Sequence, residues 1–131
     1  TRALAETMRL PCLGTWVDGF AVGCEPTRMG IGPVPAIKGL LQKTGLSIDQ
    51  MAAIEVNEAF APQTIAVLRE LGLPQDRLNR DGGAIAIGHP LAASGARLVT
   101  HLLYHLRGSN NYGLASACIG GGQGMAVIIR A

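Results

Sequence analysis

The chain has 131 residues, 48% of them apolar and 15% charged, with a formal net charge of +2, values ordinary for one globular domain with a sizeable core. Lys and Arg are too few and too scattered to favour a nucleic-acid or membrane-surface partner, and neither a membrane span nor a secretory signal is visible. Three cysteines without close spacing, Cys12, Cys24 and Cys118, argue against a disulfide framework and for reduced thiols in a cytoplasm or an organelle matrix.

Residues 1–9 read as the tail of a helix that Pro11 ends. The helical pattern runs from the first residue with no initiator Met before it, so the chain is expected to be a fragment of something longer. A strand is expected over 15–22, where Trp16, Val17, Phe20 and Val22 favour extended backbone and Asp18-Gly19 marks a bulge or an edge. Residues 23–35 are turn-rich. Pro35 can open a helix whose Ile37, Leu40 and Leu41 face a core before Gly45 caps it. Ser47 and Gln50 have the spacing of a capping box, and 53–56 reads as a brief buried strand ending at Asn57.

A second helix follows, with Pro62 in its first turn, Ala61, Ile65 and Leu68 on one face and Gly72 at its end. A short strand is expected within 78–87. The spacing then predicts a helix over 92–107, with Leu98, Leu102 and Leu106 inward and His101, Tyr104 and His105 on another face. Strands over 112–118 and 125–130 are apolar on both faces, as in a sheet covered by helices, and glycines at 120–122 and 124 turn between them. The order implies a layered α/β domain: a mostly parallel five-stranded sheet with an antiparallel closing strand and helices on both faces. In such sheets functional residues gather at the carboxyl ends of strands, where Asn57, His89 and Cys118 are expected to lie.

The segment over 81–97 delivers His89 through a glycine-rich loop. Gly82, Gly83 and Gly88 allow backbone conformations and close approaches closed to other residues. Pro90 suits a first helical turn, so His89 is expected at the positive end of a helix dipole, which favours a neutral ring able to accept a proton. The glycine spacing over 83–88 matches a phosphate-binding loop, but His89 and Pro90 replace the Lys and Ser/Thr that such a loop requires. The glycines over 120–124 lie between two strands, unlike a dinucleotide fingerprint, which opens a helix. His101 and His105 are spaced i, i+4, yet the Leu-Leu-Tyr between them lacks a metalloprotease glutamate. They read as solvated surface histidines, and no metal is expected. Cys118 precedes Ile-Gly-Gly-Gly, whose amides can surround a reacting oxygen; it is equally read as a core cysteine before a hairpin. Asn57 either caps the next helix or orients a water or carbonyl.

Val-Asn-Glu-Ala-Phe-Ala over 56–61, Gly-Gly-Ala-Ile-Ala-Ile-Gly-His-Pro over 82–90 and Cys-Ile-Gly-Gly-Gly-Gln-Gly over 118–124 together resemble the C-terminal half of thiolases. Met-Gly-Ile-Gly-Pro-Val-Pro-Ala over 29–36 resembles a fourth family segment. The likeness covers nearly the whole chain and is greatest to 3-ketoacyl-CoA thiolases, with acetoacetyl-CoA thiolases next. It implies that residues 1–131 are a thiolase C-terminal domain, one of two similar domains in a five-layer sandwich, with the nucleophilic cysteine in the absent N-terminal one. By resemblance His89 is the base that takes that cysteine's proton and helps hold the thioester oxyanion. Cys118 moves protons to and from the substrate α-carbon and the CoA thiol, and its neighbours are expected to lower its pKa for that exchange.

By the same resemblance Asn57 fixes a water in one oxyanion hole, the Gly120 N–H donates in the other, and Phe60 lines the pantetheine channel. The implied reaction is thiolysis of a 3-ketoacyl-CoA to acetyl-CoA and a shortened acyl-CoA, or the reverse Claisen condensation, with no cofactor because CoA is a substrate. The implied partners are acyl-CoA, CoA, the missing N-terminal domain and further copies in a homo-oligomer, dimer or tetramer, in a bacterial cytoplasm or the mitochondrial matrix. Ala92 departs from the glycine usual there and adds a methyl beside the histidine. The fragment alone is expected to be inactive. A rival reading is a non-catalytic assembly module with the thiolase fold, which the joint presence of Asn57, His89 and Cys118 disfavours. A ketoacyl synthase relative shares the wider fold and is disfavoured by the three motifs.

Overall fold

The computed structural model describes residues 1–131. A short helix α1 (Arg2–Thr7) leads to strand β1 (Thr15–Gly23), a 3-10 turn over Pro26–Ile31 and helix α2 (Pro33–Thr44). Strand β2 (Met51–Val56), helix α3 (Ala61–Leu71), the one-turn helix α4 (Ala84–Ile87) and helix α5 (Ser94–His105) follow. Strands β3 (Tyr112–Ile119) and β4 (Gln123–Arg130) close the chain.

The four strands form one sheet in the order β1-β4-β3-β2. Only β2 and β3 run parallel; β4 is antiparallel to both of its neighbours. The layered α/β class therefore stands, but the sheet has four strands and not five, with one parallel pair. The strand expected within 78–87 is the difference: only Leu78 reaches the sheet, as a single parallel bridge to Ile54. Beyond it, Asn79 at φ 46° and Gly82 at φ 93° turn the backbone out of the extended region, and residues 84–87 coil into α4.

Each face of the sheet carries its own apolar layer. Ile37 and Leu40 of α2 and Val67 of α3 pack with Ile54, Leu114 and Ile128 on one face. Leu98, Leu102 and Leu106, the stripe expected from sequence, pack with Ala53, Ala115 and Ile129 on the other. A fully buried leucine contributes about 1.5–3 kcal/mol, so each layer fixes its helices. Gly45 and Gly72 end α2 and α3 in the left-handed conformation, at φ 69° and 60°. In the turn before β2, Gln50 accepts the Ser47 N–H at 2.9 Å, as the capping-box spacing implies. The register slips between Trp16 and Asp18, the bulge anticipated near Asp18-Gly19.

Candidate active site

Asn57 immediately follows β2, and its N–H donates to Ser116 O of the parallel neighbour β3 at 2.9 Å. The pairing of Val56 with Ser116 places that end of β2 beside the end of β3, where Cys118 stands opposite Gly124. The capping alternative for Asn57 falls away, because the residue before α3 is Phe60 and Asn57 is fully buried. Its Nδ2 lies 3.3 Å from His89 Nε2, and its Oδ1 has no hydrogen-bond partner.

The His89 ring is held from its other edge by a residue that sequence reasoning passed over. Nδ1 is 2.5 Å from Ser94 Oγ, which in turn donates to Pro90 O at 3.0 Å. The hydroxyl has one proton; spent on the Pro90 carbonyl, it leaves the oxygen to accept from Nδ1–H. Nε2 is then the bare nitrogen, and the Asn57 amide donates to it. Ser94 is 3% exposed and opens α5. The helix therefore starts five residues after His89 and not at Pro90, and a side-chain hydroxyl holds the ring. The signal available in the sequence was a serine one helical turn past His-Pro.

Two further residues build the loop that delivers His89. Asn79 Oδ1 accepts the Val56 N–H and its Nδ2 donates to Val56 O, both at 2.9 Å. Nδ2 also donates to Glu58 Oε1 at 3.0 Å, while Glu58 Oε2 accepts the Ile85 N–H at 3.0 Å. Start and end of the turn over 79–85 are thus tied to the end of β2. A side chain at Gly83 would run into the Glu58 carboxylate and displace it from its hydrogen bonds to Asn79 and Ile85. The glycines after Cys118 serve a comparable purpose. A side chain at Gly124 would strike the backbone of Gly32, and one at Gly122 the Cys24 carbonyl. The segment entering α2 is thereby laid directly on the β3–β4 hairpin.

His89, Ser94, Phe60, Cys118 and Gly120 all line one mainly apolar cleft of about 860 Å³. Asn57 lies behind the ring, and Phe60 stands 59% exposed on the wall. A Cβ added at Gly120 would meet nothing within 4 Å, so the space beside this residue is open. Burial pushes the Cys118 thiol above its ordinary pKa, outweighing a backbone hydrogen bond that lowers it, and the neighbouring Cys24 adds a lesser upward push. This reverses the expectation that neighbours lower it: the residues beside the thiol are apolar wall and a second sulfur, with no cation among the groups that shift it.

His101 and His105 lie at the surface as expected, His105 exposed and His101 partly so, but they are not without partners. Both face Asp81, which the sequence had placed twenty residues away in the loop: its Oδ2 is 3.0 Å from His101 Nε2 and 3.1 Å from His105 Nδ1. The hydrogen bond to His101, followed by the charge of His105, holds the Asp81 carboxyl below its usual range. Glu55, 3.0 Å from His101 Nδ1, is held above its own because burial outweighs the attraction of His101 and Arg97. The opposite directions follow from exposure: Glu55 is enclosed under α5, and Asp81 lies in water.

Residues 10–131 match the family model described as thiolase, C-terminal domain. Among curated relatives, the mitochondrial 3-ketoacyl-CoA thiolase of Bos taurus is 60% identical over 115 residues, which is 87% of this chain and 29% of that protein. The crystal structure of human mitochondrial 3-ketoacyl-CoA thiolase in complex with CoA superposes with a TM-score of 0.94 at 52% identity, over 98% of this chain and 33% of that one. The dimeric peroxisomal thiolase of Saccharomyces cerevisiae gives a TM-score of 0.95 at 42% identity, over 98% and 33%. The chain spans about a third of the length of these relatives.

Proposed function

The chain belongs to the thiolase family, as a thiolase C-terminal domain, and from this we propose that it supplies the proton-transfer half of a 3-ketoacyl-CoA thiolase active site. The observation that carries the reading is the disposition of His89: its ring, held at Nδ1 by Ser94 and at Nε2 by Asn57, lines the same cleft as Cys118 and Gly120. A cysteine supplied from outside this chain attacks the 3-keto carbonyl while His89 Nε2 takes its proton. The C2–C3 bond then breaks, and the Cys118 thiol protonates C2 to give acetyl-CoA. The Cys118 thiolate next takes the proton of the incoming CoA thiol. The CoA sulfur displaces the nucleophile from the acyl group, and that cysteine recovers its proton from His89.

A thiol above its ordinary pKa suits the donor step, since Cys118 then rests protonated and ready to deliver to carbon. Asn57 Oδ1, buried and without a partner, can accept from a water held against the carbonyl oxygen, and the Gly120 N–H can donate to the second oxyanion. Phe60 on the open wall offers an apolar rest for the pantetheine arm of CoA. The human relative binds CoA and the yeast relative is dimeric, which supports a CoA substrate and a homo-oligomer here. A mitochondrial relative from Bos taurus and a bacterial one from Acinetobacter baylyi match at 60% and 59% identity, which supports a mitochondrial matrix and a bacterial cytoplasm alike.

The test is thiolysis of 3-ketoacyl-CoAs of several chain lengths by the full-length protein that contains this chain. His89→Ala is expected to lower kcat by about 10²–10⁴-fold, the range for a positioned acid–base group. Cys118→Ser is expected to be comparably impaired. Full turnover in both variants would favour the assembly module instead.

A further inference from the structure

On the flank of α5 beside the leucine stripe, two imidazoles one turn apart converge with a loop carboxylate that the chemistry in the cleft does not use. The His101 and His105 ring centroids are 5.7 Å apart. One ligand-type atom from each of Asp81, His101 and His105 lies within 4.8 Å of the others. Asp81 is 58% exposed and the two histidines 30% and 24%, so the convergence point opens to solvent. Behind it stands Glu55, buried to 3% exposure, with Oε1 3.0 Å from His101 Nδ1 and Oε2 3.7 Å from the Arg97 guanidinium, and neither His101 Nδ1 nor Glu55 Oε2 makes a hydrogen bond.

His101 thus meets a carboxylate at each ring nitrogen, and Asp81 Oδ2 meets a ring nitrogen from each histidine. With neutral rings, the hydrogen bonds to Asp81 place the protons on His101 Nε2 and His105 Nδ1 and leave His101 Nδ1 bare against the Glu55 carboxylate. A divalent cation among His101 Nε2, His105 Nδ1 and Asp81 Oδ2 satisfies the same atoms with neutral rings. The buried carboxylate behind His101 is the partner that a metal-binding histidine usually has.

We propose that Asp81, His101 and His105 form a binding site for Zn²⁺ or a similar borderline divalent metal, oriented by Glu55. Two imidazoles and one carboxylate favour that class over Mg²⁺ or Ca²⁺, which take oxygen ligands. Tetrahedral zinc at about 2.0–2.1 Å spaces its ligand atoms about 3.3 Å apart. Asp81 Oδ2, now 3.0 and 3.1 Å from the two nitrogens, needs to withdraw only slightly, and the fourth position faces solvent. The missing glutamate between the histidines is no obstacle to binding, because in a metalloprotease helix it serves as general base and not as ligand, and here the loop brings the third ligand. A bound metal would staple the start of the loop that ends on His89 to the last turns of α5.

Zn²⁺ titrated calorimetrically into the full chain is expected to bind at one site per chain. Asp81→Asn and His105→Gln, both at accessible side chains, are expected to weaken binding by at least about tenfold each, and Glu55→Gln by about 10–100-fold. Co²⁺ in the same site is expected to show a visible d–d band with no thiolate-to-cobalt charge-transfer band. In the unaltered chain, Zn²⁺ should shift the ring resonances of His101 and His105 and leave those of His89, a reading that requires no variant to fold. Absence of binding, affinity unchanged in the Asp81→Asn/His105→Gln double variant, a thiolate band, or a shift confined to His89 would each overturn the proposal.

Discussion

The Ser94 hydroxyl, 2.5 Å from His89 Nδ1, decides which ring nitrogen is left to accept a proton. Ser94→Ala removes that decision while leaving the ring in place. In the full-length enzyme it is expected to lower kcat by about tenfold, a part of what a positioned base supplies, with KM little changed and with recovery in Ser94→Thr. Steady-state kinetics across pH check it; equal loss in kcat and KM would mean a merely structural role. Cys118 yields a second test at this scale. Since burial and Cys24 raise its pKa, its thiolate should form at higher pH than an ordinary cysteine's. Alkylation by iodoacetamide, followed by peptide mass spectrometry, should show Cys118 lagging the exposed Cys12 until well into the alkaline range. Faster alkylation of Cys118 at neutral pH would contradict this. His89, Cys118 and Asn57 could be singled out as candidates in the sequence because their motifs are local. Ser94, Asn79 and Asp81 were not, since each acts through a contact that only the fold makes.

Among the elements, the turn over 79–88 is where pattern and structure part. Its apolar residues Ile85 and Ile87 suit a strand, but they lie 65% and 60% exposed. What governs the turn is polar: Asn79 makes two hydrogen bonds to the Val56 backbone and a third to Glu58. Asn79→Ala leaves those groups without partners and is expected to cost about 1–3 kcal/mol, measured by urea unfolding. Gly83→Ala forces Glu58 off the loop and should reduce activity in the full-length enzyme more than it reduces stability, because the displaced segment carries His89. The helices were easier to read. The leucine stripe of α5 repeats every four residues, and Leu102 is fully buried; Leu102→Ala is expected to cost about 2–5 kcal/mol in the same assay.

For the whole molecule, the cleft is open and flanked by uncovered apolar side chains. Leu91 is 83% exposed, Phe60 59% and Trp16 55%, more than scattered surface hydrophobics account for when they border one site. The cysteines here are Cys12 on the surface, Cys24, and Cys118 in the cleft, and the reading given above assigns the nucleophile to none of them. The 131-residue chain by itself is therefore expected to show no thiolysis of acetoacetyl-CoA above background, measured by loss of the substrate enolate absorbance. Turnover by the purified chain would require a different nucleophile and would overturn the division of labour proposed here.

By itself the sequence determined the α/β class, the amphipathic faces of the helices, the glycine-bounded turns and the family, since periodicity and short motifs are written along the chain. Strand number and direction were decided by the fold: whether 78–87 joins the sheet depends on the partners of Asn79 and Glu58, and on backbone dihedrals that no hydrophobic pattern encodes. Tertiary structure also decided the state of the side chains. Whether a thiol rests protonated, which nitrogen of His89 stays bare, and whether Asp81 meets two histidines twenty and twenty-four residues away all depend on burial and distance. Both arise only when separate segments pack together.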